Sequence, residues 1–213
     1  MRPRLLDLFC GAGGAAMGYS RAGFEVVGVD LHPQKNYPFE FHQADAIEVL
    51  DRLLAPAYDD PDDWLAGAGF DAIHGSPVCL TFARVTAWRG RRENHPDTLR
   101  PTLARLPGTG LPWVVENVLE APLRRDYVLC GSQFGLNVRR HRVFQTSWGG
   151  VQFTAPCNHH RGLRPFEHKD ERAYADAMGC DWMTKEEARQ AIPPEYTELI
   201  GQALLEHLRE RAA

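Results

Sequence analysis

A glycine-rich turn near the start of the chain, residues 10–14 (Cys-Gly-Ala-Gly-Gly), constrains the fold more than any other segment. It lies between an apolar stretch at residues 4–9, predicted to be a strand, and residues 15–22, predicted to be a helix. Glycines let the backbone turn sharply and let a ligand approach without interference from Cβ atoms. The helix start adds backbone N–H groups that lack a partner within the helix. This unit predicts an α/β fold with a ligand at the turn.

Further strands alternate with helices along the chain. We predict strands at residues 25–30, 39–42, 70–74, 112–118, 127–130 and 142–146, and helices at residues 46–54 and 195–211. Such alternation is typical of a mostly parallel sheet with helices on both faces.

The composition is that of a globular protein, with 44% hydrophobic and 24% charged residues. No apolar run is long enough to span a membrane and no signal pattern precedes the first strand, so we expect a cytoplasmic protein. The five cysteines are odd in number and scattered, which favours reduced thiols over a disulfide framework.

Charge is unevenly distributed in a chain whose net charge is −4. A basic segment contains six arginines, which are Arg84, Arg89, Arg91, Arg92, Arg100 and Arg105. Such a segment on an acidic protein predicts contact with a polyanion on one face, with a solvated loop as the alternative.

Acidic residues at the ends of two strands complete a candidate cofactor site. Asp30 is placed to accept hydrogen bonds from ribose hydroxyls, and Asp45 from an adenine amino group. The glycines are spaced G-x-G-G rather than G-x-G-x-x-G, and the turn has no basic residue for a pyrophosphate. We therefore expect S-adenosylmethionine. The candidate binding residues are Phe9, Gly11, Gly13, Asp30, Leu31, Asp45, Ala46 and Pro77.

Cys79 is a candidate nucleophile because it follows a strand and Gly-Ser-Pro at the sheet edge where ligands bind. Nearby arginines would raise its thiolate fraction. Glu116 ends the strand predicted at residues 112–118, so the two side chains should meet at one edge. A nucleophile beside a proton donor suits attack on an electron-poor heteroaromatic ring. The alternatives are a buried thiol for Cys79 and a helix cap or ion pair for Glu116.

Five segments together resemble the motifs of cytosine-5 DNA methyltransferases. They are residues 7–14 (Asp-Leu-Phe-Cys-Gly-Ala-Gly-Gly), 75–79 (Gly-Ser-Pro-Val-Cys), 116–118 (Glu-Asn-Val), 138–144 (Val-Arg-Arg-His-Arg-Val-Phe) and 192–201 (Ile-Pro-Pro-Glu-Tyr-Thr-Glu-Leu-Ile-Gly). They follow the family's order and span nearly the whole chain.

The resemblance implies a Rossmann-like S-adenosylmethionine-dependent methyltransferase fold and methylation of C5 of cytosine in DNA. Cys79 would add to C6, and Glu116 would hold N3 and the exocyclic amine. Arg142 would orient Glu116, and Arg140 would lie near the C2 carbonyl. Asn117 would tie the strand end to the Cys79 loop. A cytosine in duplex DNA must first flip out, whereas single-stranded DNA presents it directly. The candidate substrate contacts are Arg84, Arg89, Arg91, Arg92 and Asn117.

The chain departs from the family's pattern at Val78, Leu80 and Val138, which replace the usual Pro, Gln and Gln. Relatives also usually carry a sizeable target-recognition domain. Here we predict a catalytic domain at residues 1–146, a short, irregular insert at 147–191, and a helix at 192–213 that completes the catalytic domain. So small an insert offers few side chains to read a groove. Methylation of a free cytosine nucleotide or of RNA, or an inactive DNA-binding or partner subunit, therefore stays open.

Cys157, His159 and His160, with His168 or Cys180, suggest a metal site. Their spacing is not that of a regular CxxC pair. The sequence therefore favours an irregular loop without metal here.

Overall fold

A computed structural model describes residues 2–55, 63–78, 97–150, 154–159 and 171–213 of the chain. Several candidate residues lie outside these ranges, namely Cys79, Leu80, Arg84, Arg89, Arg91, Arg92, His160 and His168. The roles assigned to them stay predictions.

Seven strands form one sheet in the order β3-β2-β1-β4-β5-β7-β6. The strands are β1 (Arg4–Leu8), β2 (Glu25–Asp30), β3 (Glu40–Gln43), β4 (Ala72–Gly75), β5 (Trp113–Asn117), β6 (Tyr127–Leu129) and β7 (Arg142–Thr146). β7 runs antiparallel to both of its neighbours, and the other pairs are parallel. The predicted mostly parallel sheet is confirmed.

The described helices are α1 (Gly14–Ala22), α2 (Ala46–Leu54), α3 (Leu99–Arg105), α4 (Glu171–Ala177), α5 (Lys185–Gln190) and α6 (Pro194–Ala212). Asp45 starts α2, because its Oδ1 accepts hydrogen bonds from the backbone N–H groups of Ile47 and Glu48 at 2.7 and 3.4 Å. Within the described residues, no helix is long and apolar enough to cross a membrane.

Side chains of adjacent residues on a strand point to opposite faces, so each strand contributes to two cores. Leu5 and Val26 pack in the core that contains α1 and α6. Leu6 and Val27 pack in the core that contains α2 and α3. The sheet is thus covered on both faces, as the sequence predicts.

A third cluster corrects the expectation of an irregular insert at residues 147–191. Helices α4 and α5 lie within that range, and Tyr174 of α4 is fully buried in a cluster with Val138 and Ala12. The Trp182 indole N–H also donates to Ala12 O at 2.9 Å. Apolar residues therefore pack this part of the insert against the glycine-rich turn and the segment before β7, and residues 171–177 and 185–190 are helical rather than irregular.

Two arginines of the basic segment lie in the described part and pair with acids. Arg100 Nη1 lies 3.0 Å from Asp97 Oδ2, and Arg105 Nε lies 2.7 Å from Asp51 Oδ1. Both contacts direct the arginines toward this chain's own carboxylates. A polyanion contact by the arginines between residues 84 and 92, which lie outside the described residues, stays a prediction.

Glycines allow α1 and α6 to pack closely. A Cβ atom at Gly18 would overlap Pro194 O and Thr197 Oγ1, and one at Gly201 would lie 2.7 Å from Ala22 Cβ. The Thr197 hydroxyl donates to Ala15 O at 2.8 Å. The two ends of the chain are joined at this contact.

We expect Gly18→Ala to lower the free energy of unfolding by about 1–3 kcal/mol, because overpacking an interface costs that much. Helix propensity alone would favour alanine by roughly 1 kcal/mol, so the sign of the change is diagnostic. Urea denaturation measures it, with Ser20→Ala in the same helix as the control. Equal or greater stability of Gly18→Ala would show that the helices do not pack this closely.

Candidate active site

The strand order reverses between β1 and β4, and ligands of open α/β sheets bind at the carboxyl ends of the strands beside such a reversal. In the ladders, Leu8 pairs with Val29 and with Gly75, and Gly75 pairs with Val115. The next residues along these four strands are Phe9, Asp30, Ser76 and Glu116. Cofactor and catalytic candidates therefore share one edge of the sheet.

Asp30 holds the glycine-rich turn in place. Its Oδ2 accepts from the Gly11 N–H at 3.0 Å and its Oδ1 accepts from the His32 N–H at 2.9 Å. The backbone has positive φ at Phe9 (56°), Gly11 (50°) and Gly13 (85°). Phe9 is a phenylalanine in a conformation that non-glycine residues seldom adopt, which is a common property of ligand sites.

The turn offers a surface that fits an adenosyl group. A Cβ atom at Gly11 would meet no other heavy atom within 4 Å, so a ligand has room to approach the backbone there. Leu31 is 58% exposed beside Asp30 and presents apolar surface suited to a base. Asp45 caps α2 through Oδ1, which leaves Oδ2 as the oxygen that could accept an adenine N–H. Ala46 and Pro77 are buried.

Glu116 is only 6% exposed and lies beside Arg142. Arg142 Nε is 2.7 Å from Glu116 Oε1, although the N–H is not aligned as a hydrogen bond. Burial raises the pKa of Glu116, and the charges of Arg142 and Arg140 and a hydrogen bond from Ser76 offset only part of that rise. The net effect raises the pKa of Glu116, which favours the protonated carboxyl relative to an ordinary glutamate.

Asn117 connects the end of β5 to the loop that leads to Cys79. Its Nδ2 donates to Pro77 O at 2.9 Å, and its Oδ1 accepts from the Val118 N–H at 2.9 Å. Thr98 Oγ1 accepts from the Val78 N–H at 3.0 Å. The chain is thus held on two sides immediately before Cys79, and the contacts of Asn117 are to the protein backbone.

Arg140 is buried and makes its hydrogen bonds within the protein. Its Nη2 donates to Arg189 O at 2.7 Å and its Nη1 donates to the Tyr174 hydroxyl at 3.4 Å. Its own carbonyl accepts from the Tyr196 hydroxyl at 2.6 Å. These contacts join the arginine motif to α4, α5 and α6. A place for Arg140 beside a substrate carbonyl stays a prediction.

Three residues of the site escaped the sequence analysis: Ser76, Thr98 and Tyr196. Ser76 contributes a hydrogen bond to Glu116, Thr98 holds Val78, and Tyr196 holds the backbone of Arg140. Tyr196 lies in the C-terminal motif at residues 192–201, so the sequence indicates its importance but does not predict its contact with Arg140 O. Ser76 lies in the Gly-Ser-Pro segment, whereas Thr98 carries no sequence signal.

Known proteins of similar structure are methyltransferases. The Dnmt2 methyltransferase of S. pombe superimposes with a TM-score of 0.55 at 14% identity, covering 98% of this chain and 99% of that one. The methyltransferase EhMeth of Entamoeba histolytica superimposes with a TM-score of 0.59 at 10% identity and the same coverage. At such identities the likeness establishes the fold, which is that of a Rossmann-like methyltransferase.

One curated relative adds a sequence match. The type II methyltransferase M.AgeI of Thalassovita gelatinovora is 31% identical over 87 residues, 38% of this chain and 19% of the relative. The chain therefore spans about a fifth of that relative's length. No family model matches the chain. The two structures thus support the predicted methyltransferase-like fold, and the match to M.AgeI is a sequence similarity over part of the chain.

Glu116→Gln should change how stability depends on pH. A carboxyl whose pKa is raised on folding stabilises fully below its unfolded pKa, and this contribution is lost as pH rises toward the folded value. The ordinary value is 4.5, so the stability of the wild type relative to Glu116→Gln should fall as pH rises above it. Urea denaturation across this range measures the trend. A wild-type advantage that grows with pH would mean that the pKa of Glu116 is lowered.

Proposed function

We propose that this protein transfers a methyl group from S-adenosylmethionine to C5 of cytosine in DNA. The observation that carries the proposal is the buried Glu116 beside Arg142, at the strand end that Asn117 joins to Pro77. Pro77 is two residues before Cys79 in the chain. This arrangement supports a role for Glu116 as proton donor to a base held near Cys79.

The residues around the glycine-rich turn support S-adenosylmethionine as the cofactor. Asp30 would accept from the ribose hydroxyls while it retains its bonds to the turn, since each carboxylate oxygen has more than one lone pair. Leu31 would cover one face of the adenine, and Asp45 would accept from its amino group. The open space at Gly11 would admit the ligand next to the backbone. When bound, S-adenosylmethionine would supply an electrophilic methyl group to C5, and its S–CH3 bond would break to leave S-adenosylhomocysteine.

The side chains of the protein would activate the cytosine ring. Cys79 Sγ would form a bond to C6 as the C5–C6 double bond breaks, and the Glu116 carboxyl would deliver its proton to N3. Arg142 would keep Glu116 oriented toward the ring. Loss of the C5 proton to a base and expulsion of Cys79 Sγ would restore the double bond, and N3 would return its proton to Glu116.

DNA is the favoured substrate because of the arginines between residues 84 and 92. We expect Arg84, Arg89, Arg91 and Arg92 to contact phosphates, since Arg100 and Arg105 already pair with acids. The small size of the part between β7 and α6 favours a short or relaxed recognition site. The same feature favours the alternative substrates, a free cytosine nucleotide or RNA, which need no reading of a groove.

Labelled methyl transfer tests the chemistry. We expect Cys79→Ser to abolish methylation of duplex DNA while its affinity for S-adenosylmethionine is kept, because serine is a far weaker nucleophile. The wild type should form a denaturation-resistant adduct with DNA containing 5-fluorocytosine, which has no C5 proton to lose. Cys180→Ser, which alters a buried cysteine that is not a candidate catalytic or cofactor-binding residue, is the control.

Three outcomes would contradict the proposal. Normal turnover by Cys79→Ser would exclude Cys79 as the nucleophile. Transfer to cytidine nucleotides or RNA in preference to duplex and single-stranded DNA would show that DNA is not the substrate. Tight DNA binding without transfer to any of these would indicate an inactive subunit.

Asp30→Ala should weaken S-adenosylmethionine binding roughly five- to hundredfold, because one or two hydrogen bonds worth about 1–3 kcal/mol are lost. Calorimetric titration measures the dissociation constant. Glu25→Gln, at the opposite end of β2, is the matched control and should leave it unchanged. Equal affinities of Asp30→Ala and wild type would place the cofactor elsewhere.

A further inference from the structure

Four potential metal ligands meet beside the end of β6 and the start of β7. Cys130 follows β6, His141 precedes β7, and Cys157 and His159 belong to the short described segment 154–159. Their four ligand atoms, two sulfurs and two imidazole nitrogens, all lie within 4.8 Å of one another. The ends of the neighbouring strands β6 and β7 and the segment 154–159 therefore bring their ligand atoms together.

Two sulfur–nitrogen distances in this cluster match the edges of a metal tetrahedron. Cys130 Sγ lies 3.6 Å from His159 Nε2, and Cys157 Sγ lies 3.5 Å from His141 Nε2. Bonds of about 2.3 Å from zinc to sulfur and about 2.0–2.1 Å from zinc to nitrogen give a sulfur–nitrogen edge of about 3.5 Å at the tetrahedral angle.

The protein holds the loop ligands in position from several sides. The Asn158 N–H donates to Ser132 Oγ at 3.2 Å, and Gln133 Nε2 donates to Thr154 Oγ1 at 3.0 Å. Arg139 Nη2 also donates to His159 O. The three residues that bond to the loop lie between β6 and β7, on the same stretch that carries Cys130 and His141. The site is thus supported by hydrogen bonds outside the ligands themselves.

We propose that Cys130, His141, Cys157 and His159 bind one zinc ion as a closed, four-coordinate structural site. Two thiolates with two imidazoles are a ligand set that suits zinc, and a set with four protein ligands leaves no open position for catalysis. Cys130 is buried while Cys157 is exposed, so the ion could enter from the loop side. The proposal does not depend on the methyltransferase proposal.

The alternative to a metal site is a redox-active cysteine pair, because the sulfurs of Cys130 and Cys157 lie within 4.8 Å of each other. A disulfide would involve only the two cysteines, whereas a zinc ion would bind both cysteines and both histidines.

A zinc ion here would attach residues 154–159 to the sheet beside the arginine motif. His141 lies between Arg140 and Arg142, so a bound ion would restrain the start of β7. Arg142 faces Glu116 from that strand. The inferred site would therefore position the Glu116–Arg142 pair without touching it.

Metal content and cobalt binding test the site. We expect the wild-type protein, purified from zinc-supplemented medium, to contain about one zinc per chain. After removal of zinc under reducing conditions, added Co²⁺ should give the visible absorption of tetrahedral, thiolate-bound cobalt. Cys157→Ser and His159→Asn should bind Co²⁺ at least about tenfold more weakly, since even losing a residue that only orients a ligand has that effect.

Controls and contrary results separate the alternatives. Cys180→Ser and His207→Gln remove a cysteine and a histidine outside the cluster and should bind Co²⁺ as the wild type does. Cys157 is exposed, so its replacement should leave the fold intact, which circular dichroism would check. A reduced wild type that holds no zinc and gives no cobalt signal would overturn the proposal. An unchanged cobalt signal in Cys157→Ser and His159→Asn, or a Cys130–Cys157 disulfide in place of metal, would do so too.

Discussion

The close packing of α1 against α6 is the contact on which the candidate site depends. Gly18 and Gly201 let the helix axes approach, and this places the start of α6 over the carboxyl end of the sheet. From there the Tyr196 hydroxyl reaches Arg140 O. A residue near the end of the chain thereby supports the strand that presents Arg142, while α1 continues from the glycine-rich turn. The packing of α1 against α6 therefore connects the cofactor candidates after β1 to the catalytic candidates near β7.

The electrostatics of the edge follow from unequal burial of its acids. The carboxylate oxygens of Asp30 accept hydrogen bonds from two backbone N–H groups. Because Asp30 is half-exposed, it is also accessible to solvent or to a ribose. Glu116 is buried, and two arginine charges do not cancel the cost of desolvating it. The two acids therefore lie at one edge of the sheet in different environments, with Asp30 half-exposed and Glu116 buried. The environments of Asp30 and Glu116 differ because the two carboxyl groups lie at different depths at this edge, although both residues carry the same functional group.

The sequence predicts most of the layout because the relevant signals are local. The strand at residues 25–30 and the helix at residues 46–54 have the predicted bounds, since apolar patterning and the Asp45 cap define them. The antiparallel direction of β7 was not specified, because no local pattern encodes strand direction. The metal-ligand cluster was missed in part for a similar reason. Cys157 and His159 stand out in the sequence, but their partners Cys130 and His141 come from distant positions that only the fold unites.

The short strands at both edges of the sheet bear on how the protein behaves in concentrated solution. β3 contains four residues, and β6 contains three. An outer strand of that length exposes few unpaired backbone groups, so another polypeptide gains little by pairing with it. Glu40 and Gln43 at the two ends of β3 add exposed polar side chains to that edge. The sheet therefore offers a poor template for cross-β aggregation during expression or storage, although its central strands are strongly apolar.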